Sequence, residues 1–465
     1  MDSITLKNFR CFREEQTARL APLTLLVGEN STGKTSFMAM VRALWDVCYR
    51  AQVPDFKEEP YDLGSYDEIA HHRGNSRADS FEAGFDFDDS RPSVAGFDFG
   101  GDEPDSDAQP QPCRFDVAFG KNGSAPVLKK MRLTRDDVWY EARYQDQSQE
   151  IRFGTPRGAW DFQFPRIGSA FTHGQIPFFF WYDQFLSEPE ELKNRAERVT
   201  PQGPSKPADE DLKRIEQLGN IFSGMGFHRY RRTRPYAGTP VRSKPRRTYD
   251  PARPTPDPEG DYIPMHLAHL SHHDQNRWSR LKKALEGFGK EAGLFDEIHI
   301  RHLGKRDSEP FQLQVRKSGV RAKSPKGPWR NLIDMGYGVS QVLPVITELL
   351  EKDAPPMFLL QQPEVHLHPS AQAALGSLFC RVAGPERQLI VETHGDHLLS
   401  RVRMDVRDGV SDLKPEDVSI LFFERDDLDV RIHSIRLDEE GNVRDAPTTY
   451  RKFFMEETRR SLWKR

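Results

Sequence analysis

The stretch VGENSTGKTS, residues 27–36, contains a complete phosphate-binding pattern. From Gly28 to Thr35 it fits G-x-x-x-x-G-K-[ST] without a mismatch. Glycines let backbone N–H groups surround phosphates, the lysine reaches the β- and γ-phosphate oxygens, and the threonine hydroxyl meets Mg²⁺. The pattern therefore predicts a nucleotide site, with Thr35 as a metal ligand and with these binding residues: Gly28, Asn30, Ser31, Thr32, Gly33, Lys34, Thr35 and Ser36.

The elements on either side of this loop suit such a site. LTLLVG, residues 23–28, is typical of a buried strand, and residues 35–50 have apolar side chains at helical spacing. The helix is predicted to face a sheet with Phe37, Met40, Val41, Leu44 and Val47. From about residue 327 onward, further predicted helices alternate with the strands PMFLLQQ, QLIVETH and VSILFFER. This alternation favours an α/β fold in which helices cover a mixed sheet.

The central part of the chain differs in composition. Residues 51–165 contain the alternating stretches CRFDVAFG, VLKKMRLTR and VWYEARYQ, which predict an antiparallel β lobe. Its acidic segment 81–112, with GFDF twice, is interpreted as a hairpin rim or a disordered loop. Residues 166–326 combine two predicted helices with a Pro- and Arg-rich stretch. We therefore expect five segments: 1–50, 51–165, 166–326, 327–435 and a tail at 436–465.

The overall composition excludes several classes. A net charge of −4 provides no global attraction to nucleic acid, so such binding would need a local patch. Four scattered cysteines lack metal-site spacing and fit a reducing cytosol. No run of 18 apolar residues predicts a membrane span, and the first residues lack the apolar run of a signal peptide. The expected location is cytoplasmic.

The basic segment at 228–254 is the best candidate for a local patch. It contains nine Lys or Arg and three Tyr against one Asp. Basic and aromatic residues together suit a nucleic-acid backbone and stacked bases. The same residues would also suit a contact with ATP, with the acidic 85–107 segment or with a partner protein.

Several motifs together resemble the ATPases of the SMC, RecF and OLD type, a branch of the ABC-ATPase heads. The resemblance rests on ITLKNFRCF followed by LTLLVGENSTGKTS, and on DMGYGVSQVLPVI, FLLQQPEVHLHP and LIVETHGDHLLSRV. It covers about 35 residues at the front and about 100 at the back. Weaker marks at 62–74 and 232–250 resemble a bacterial subgroup without a TOPRIM nuclease domain. The resemblance implies an ABC-type P-loop head that binds ATP and Mg²⁺.

The resemblance also implies roles for single residues. Ser340 and Gln341 would form a signature that precedes a helix and faces the ATP of a second subunit, with Gly336 and Gly338 permitting close backbone approach. Gln361 would take the place of an acid that holds Mg²⁺ through water. His394 would sense the γ-phosphate.

The catalytic carboxylate is the open point of this assignment. Gln362 would take the place of a glutamate that polarises the attacking water, and an amide cannot accept a proton. Glu364 is the nearest carboxylate and Glu392 is an alternative base. His366 and His368 could form a metal pair, although helix capping and subunit contacts are favoured.

Two functions follow from the resemblance. The first is a slow ATPase switch that forms a homodimer, or a higher homo-oligomer, around ATP and controls a separately encoded effector, in a context of anti-phage defence. The second is a RecF-like ATPase that binds DNA during repair. The basic segment favours the second function, whereas the net charge and the lack of heptads for a long arm favour the first.

Overall fold

The computed structural model describes most of the chain. The described residues are 1–50, 52–74, 76–88, 112–145, 148–164, 197–199, 204, 206–227, 233–251, 255–304, 309–318 and 326–452. The segment 89–111, which holds most of the acidic stretch and the second GFDF, lies outside them. Among the described residues, no helix is long and apolar enough to cross a membrane.

The strands and helices have the following bounds. The strands are β1 Ser3–Lys7, β2 Gln16–Arg19, β3 Leu23–Gly28, β4 His72–Arg73, β5 Ser76–Arg77, β6 Ser80–Asp88, β7 Pro112–Asn122, β8 Ala125–Arg135, β9 Val138–Gln145, β10 Ser148–Thr155, β11 Gly158–Phe164, β12 Glu197–Arg198, β13 Tyr236–Gly238, β14 Glu297–His302, β15 Phe311–Arg316, β16 Arg330–Asn331, β17 Met357–Gln361, β18 Gln388–Glu392, β19 Val418–Asp426, β20 Asp429–Leu437 and β21 Val443–Arg444. The helices are α1 Lys34–Arg50, α2 Tyr66–Ile69, α3 Asp209–Phe227, α4 Ile263–His273, α5 Gln275–Glu291, α6 Tyr337–Leu350, α7 Pro369–Val382 and α8 Asp396–Arg407.

The chain divides into two compact units. The antiparallel unit holds the described residues of Met1–Leu20, Ser31–Arg234 and Arg425–Ile432. The parallel-sheet unit holds those of Ala21–Asn30, Pro235–Glu424 and His433–Arg465. Each unit thus combines segments that are distant in sequence. The five-segment division expected from composition stays a prediction.

The parallel-sheet unit contains the predicted α/β sheet. Its strand order is β13-β17-β18-β3-β19-β20-β21, and β3 pairs in parallel with β18 on one side and β19 on the other. All six residues of β3 are buried, which explains the unbroken apolar run of this strand. Side chains from α4, α5, α6, α7 and α8 complete one continuous core. The fold is α/β, as the sequence predicted.

The antiparallel unit contains the predicted β lobe. Its nine-stranded sheet has the order β12-β11-β10-β9-β8-β7-β6-β1-β2. The three alternating stretches form β7, β8 and β9, which confirms them as antiparallel strands. Phe81 and Phe119 stack with ring centroids 5.1 Å apart, and Phe56 meets both edge-on. These rings form an aromatic core on one face of the sheet.

Helix α1 belongs to the antiparallel unit. Its five apolar residues that were predicted to face a sheet are all fully buried: Phe37, Met40, Val41, Leu44 and Val47. The first GFDF lies within β6, where alternate phenylalanines Phe85 and Phe87 are buried. That part of the acidic stretch is therefore a sheet strand rather than a rim, because its phenylalanines supply the apolar face of the sheet.

One partly buried carboxyl on α6 predicts a pH-dependent stability. Burial raises the pKa of Glu348 from 4.5 to about 7, and the charge of Glu351 adds to the rise. The folded chain therefore holds an extra proton between the two pKa values, and the free energy of unfolding falls as pH rises from about 4.5 to about 7. We expect Glu348→Gln to remove this dependence, which amounts to at most about 3 kcal/mol at pH 8.

Thermal unfolding at pH 5 and pH 8 checks this expectation. The wild type should lose more stability than Glu348→Gln between the two values. The same substitution at the exposed Glu439 is the matched control. Equal pH dependence in wild type and Glu348→Gln would contradict the assignment.

Candidate functional site

The glycine loop begins at the carboxyl end of the central strand. Gly28, the last residue of β3, has φ +142°. A Cβ atom there would lie 2.5 Å from the carbonyl oxygen of Phe423 on the neighbouring β19. Both the backbone conformation and the close approach require glycine at this position. The loop therefore leaves the sheet in a geometry that a side chain would block.

The rest of the loop continues into the antiparallel unit. Gly33 has φ +82°, and a Cβ atom there would lie 2.5 Å from the Cys11 sulfur. Lys34 opens α1 and is only 3% exposed. Arg425 donates a hydrogen bond of 2.7 Å to the Ser31 carbonyl oxygen, so a second cation lies near the loop. The predicted order of strand, loop and helix is confirmed, and the binding roles of the loop residues stay a prediction.

The predicted catalytic stretch lies at the same edge of the parallel sheet as Gly28. Gln361 ends β17 opposite Glu392, which ends β18, and Glu392 is in turn opposite Leu26 of β3. The Gln362 N–H donates to the Glu392 carbonyl oxygen at 2.8 Å. Ligands of open α/β sheets bind outside the carboxyl ends of such strands. The sheet register thus collects residues from three separate segments at one edge.

Glu364 is a buried carboxylate at this edge. It is 5% exposed, and its Oε1 accepts hydrogen bonds of 2.8 Å from the Thr393 hydroxyl and from the His394 N–H. Its Oε2 is also buried and has no hydrogen-bond partner among the described residues. Burial raises the pKa of Glu364, while the two hydrogen bonds oppose the rise. A fixed carboxylate with one unused oxygen and a raised pKa has the properties of a general base.

The other predicted catalytic residues occupy distinct environments. The Glu392 side chain is 6% exposed, so it is nearly as buried as Glu364. The His394 side chain is exposed just after β18, so it is no core histidine. Gln362 has φ +41° and is partly buried. Sequence reasoning gave no role to Thr393, although its hydroxyl fixes Glu364.

The predicted Mg²⁺ ligands can be tested against their surroundings. Gln361 is 6% exposed, and its Nε2 has no hydrogen-bond partner in the described part of the chain. Such a buried N–H donor would be satisfied by a phosphate oxygen, whereas the amide oxygen of the same side chain could accept a hydrogen bond from metal-bound water. Thr35 is exposed in the first turn of α1. Within the described ranges no cluster of three or more His, Cys, Asp or Glu could hold a metal. A Mg²⁺ ion that arrives with a nucleotide keeps several waters and needs few protein ligands. The roles of Thr35 and Gln361 toward it stay a prediction.

The predicted signature, Ser340 and Gln341, lies inside a helix and not before one. Ser340 and Gln341 do not precede a helix, because α6 already begins at Tyr337 with Gly336 as its N-cap. The apolar stripe of α6 starts at Val339, one turn earlier than predicted, and includes Ser340 in the helix. Ser340 is 6% exposed, and its hydroxyl donates a hydrogen bond of 3.0 Å to the Tyr337 carbonyl oxygen.

The two glycines of the signature also differ from each other. A Cβ atom at Gly338 would lie 3.0 Å from the His366 carbonyl oxygen, so glycine is required there by packing within the chain. A Cβ atom at Gly336 would meet nothing within 4 Å in this chain, so the approach to the ATP of a second subunit stays a prediction there. The role of Ser340 and Gln341 toward ATP stays a prediction.

The two histidines after Glu364 lie in loop and cap positions. His368 is the N-cap residue of α7, and its Nδ1 lies 2.9 Å from the Ser370 hydroxyl. His366 is exposed with φ +68°, and its ring centroid lies 5.8 Å from that of Tyr337. His368 thus holds the N-cap position, but its side chain makes no capping hydrogen bond, so the capping role that the sequence favoured stays a prediction.

The described part of the basic segment is largely neutralised. Arg246 pairs with Asp261 at 2.7 Å and Arg247 with Asp334 at 2.6 Å in the parallel-sheet unit. In the antiparallel unit Arg234 pairs with Asp46 and Glu58. These ion pairs leave less positive charge for nucleic acid than the sequence suggested.

Arg242 of the same segment is buried instead of exposed. Only 3% of the residue is exposed, and its Nη2 donates to the Gln361 carbonyl oxygen at 3.4 Å. The sequence included contact with ATP among the open alternatives for this segment but did not single out Arg242. Nothing in its local sequence distinguishes Arg242 from the neighbouring Arg246 and Arg247, which form ion pairs.

Comparisons with known families give two matches. The family model described as "AAA domain, putative AbiEii toxin, Type IV TA system" matches residues 133–400. A model described as "AAA ATPase domain" matches residues 1–73. No curated protein matches the chain.

Several solved structures are similar to the chain at low identity. An SMC head bound to the C-terminal winged-helix domain of ScpA has 12% identity and a TM-score of 0.42, over 94% of this chain and 98% of that one. An SMC head with extended coiled coil from Pyrococcus furiosus has 11% identity and a TM-score of 0.39, over 98% and 99%. The SMC head from Thermotoga maritima has 13% identity and a TM-score of 0.34, over 93% and 98%.

Proposed function

The chain belongs to the family described as "AAA domain, putative AbiEii toxin, Type IV TA system", and from this premise we propose that it is a slow ATPase switch. The family model covers more than half of the 465 residues. The protein is an ATPase. The proposal adds that it hydrolyses ATP slowly, stays in the ATP-bound state for long periods and controls a partner.

The environment of Glu364 is the observation that carries the proposal. Gln361 and Gln362 supply no carboxylate at the end of β17, whereas Glu364 is fixed through one oxygen and has the other unused. We assign Glu364 as the general base that takes a proton from the attacking water. In this proposal the glycine loop binds the phosphates and His394, which follows β18, has the role of γ-phosphate sensor.

Slow turnover follows from the chemistry of the double glutamine. Bound Mg²⁺ would neutralise charge on the phosphates, and the sequence assigns Thr35 and Gln361 as residues that would hold it or its waters. Gln361 offers only a neutral amide, which weakens that hold compared with a carboxylate. The desolvated base must also be ionised before it accepts a proton, and burial works against ionisation. Both effects slow hydrolysis without weakening the phosphate loop.

Self-association around ATP is the second part of the proposal. Tyr337 at the start of α6 is 57% exposed and Ile333 is 41% exposed, so apolar surface flanks the glycine entry of this helix. We infer that this end of α6 meets a second copy when ATP is bound. The family description names a type IV toxin–antitoxin system, which is compatible with the separately encoded partner and the role in anti-phage defence that we propose.

Tyr337→Arg is expected to block ATP-dependent dimerisation. A charge placed on the exposed end of α6 would have to lose its water in the dimer, which costs several kcal/mol when it stays unpaired. Folding should be unaffected because the side chain is in solvent. Light scattering with a non-hydrolysable ATP analogue measures the mass of the complex.

The exposed Val410, at 55%, provides the matched control as Val410→Arg. This variant should dimerise with the analogue like the wild type. Dimerisation of Tyr337→Arg at wild-type nucleotide and protein concentrations would remove α6 from the proposed interface. A wild type that stays monomeric with the analogue would refute the dimer itself.

A further inference from the structure

The carbonyl oxygen of Ser31 in the glycine loop is held by an arginine that is distant in sequence. Arg425 Nη2 donates a hydrogen bond of 2.7 Å to this oxygen, and both residues belong to the antiparallel unit. Acidic residues lie near Arg425 on both sides in sequence, yet they contact other groups. Glu424 contacts His433, Asp426 contacts Arg431 and Asp427 contacts Arg73. The guanidinium of Arg425 is therefore directed to the main chain of the loop.

Ser31 has an unusual backbone conformation. Its φ is +61°, in the left-handed region that residues other than glycine rarely adopt. The conformation is costly because the Cβ atom comes too close to the carbonyl oxygen, and it persists only where surrounding contacts hold it. The other loop residues with positive φ are glycines, Gly28 and Gly33. The contact from Arg425 thus falls on the loop residue whose conformation most needs support.

The same contact fixes the direction of the next peptide N–H. A peptide bond is planar and trans, so its carbonyl oxygen and its N–H point in opposite directions. Because the Ser31 carbonyl oxygen is directed to Arg425, the Thr32 N–H points away from the arginine. A phosphate-binding loop works through N–H groups that point at the phosphate. Rotation of this peptide would turn a carbonyl oxygen toward the phosphate, and the two negative groups would repel each other.

The segment that carries Arg425 is anchored next to the loop. This segment joins β19 to β20, and its Val430 N–H donates to the Cys11 carbonyl oxygen at 2.9 Å. Gln16 Nε2 donates to the Val430 carbonyl oxygen at 2.6 Å. Cys11 in turn contacts the loop, with its Sγ 3.9 Å from the Thr32 carbonyl oxygen. The main chain near Arg425 is therefore fixed to residues that also touch the loop.

We propose that Arg425 is a positioning residue for ATP binding, which holds the peptide between Ser31 and Thr32 with its N–H directed at phosphate. The inference rests on the proposed function, since it requires the glycine loop to bind ATP. The left-handed backbone at Ser31 makes the loop depend on this contact, because a residue with a side chain leaves that conformation when nothing holds it. Arg425 acts in this way through the loop and without touching the nucleotide.

The test is a double-mutant cycle for ATP affinity in the full chain, with Arg425→Met made in the wild type and in Ser31→Gly. In the wild type, Arg425→Met should weaken ATP binding roughly 5- to 30-fold, which corresponds to about 1–2 kcal/mol, the cost of a left-handed backbone at a residue with a side chain. In Ser31→Gly the same substitution should weaken binding by less than about 3-fold, because glycine adopts this conformation without that cost. Folding should be unaffected because the Arg425 side chain is exposed.

Arg431→Met is the matched control. It removes an exposed arginine that pairs with Asp426 in the same segment, and it should bind ATP like the wild type. Thermal unfolding without ATP shows that each variant is folded. A lower stability of Arg425→Met with unchanged ATP affinity would give the residue a purely structural role and overturn the inference.

The remaining outcomes separate the inference from the proposed function. An equal loss of affinity in the wild type and in Ser31→Gly would reduce Arg425 to a general attraction between charges and overturn the inference. Unchanged affinity in Arg425→Met, together with lost affinity in Lys34→Ala, would overturn the inference and leave the nucleotide site in place. Retained affinity in Lys34→Ala would overturn the proposed nucleotide site and the inference with it.

Discussion

Lys34→Ala is expected to abolish tight ATP binding. The lysine opens α1 directly after the glycine loop and is 97% removed from solvent, so its ammonium has little competing water. Loss of one partner from a buried charge pair costs about 2–5 kcal/mol, which corresponds to an affinity loss of roughly 30- to 5000-fold. Arg425 contacts the Ser31 carbonyl oxygen and stays in place, so some phosphate attraction should persist.

Two measurements test the proposed role of Lys34 in ATP binding. Calorimetric titration gives the ATP affinity, and thermal unfolding with and without ATP shows whether the variant is folded and still stabilised by the nucleotide. The wild type should gain stability with ATP, whereas Lys34→Ala should not. Lys352→Ala, at an exposed position, is the control for loss of a lysine. Micromolar affinity retained in Lys34→Ala would show that the glycine loop is not the nucleotide site.

Glu364→Gln is expected to lower the rate of ATP hydrolysis about 10²–10⁴-fold, the usual effect of losing a general base. The amide has the size of the carboxylate and can still accept hydrogen bonds from Thr393 and His394, so the local structure should persist. It cannot accept a proton from water. Affinity for ATP should change little, because the proposed role of Glu364 begins after binding. Single-turnover hydrolysis measures the chemical step without product release.

Three further variants test whether another group serves as the base. Gln362→Glu should change the rate little if Glu364 already accepts the proton, whereas a large acceleration would identify the missing carboxylate at 362 as the cause of slow turnover. Gln361→Asp should strengthen the metal shell. Glu392→Gln probes the second buried carboxylate of this edge. Undiminished turnover in Glu364→Gln together with an inactive Glu392→Gln would transfer the role of base to Glu392.

The sequence determined the features that depend on contiguous residues. The glycine loop is one such feature, because nine neighbouring residues contain every group that wraps a phosphate and the flanking strand and helix follow from local apolar periodicity. The strands β3, β17, β18 and β19 were predictable for the same reason, since strands buried on both faces are continuous apolar runs. Local patterning also gave the α/β class of this part of the chain.

Only the tertiary structure decided which groups surround the reactive carboxylate. Glu364 owes its fixed oxygen to Thr393 and His394, about thirty residues away. Burial and pairing depend on what packs around a group, and the strand register brings those segments together. The same effect separated Arg242 from its paired neighbours Arg246 and Arg247, which are indistinguishable from it by residue type. A basic segment in the sequence thus became one buried charge and several ordinary ion pairs, because packing decides which charges keep contact with water.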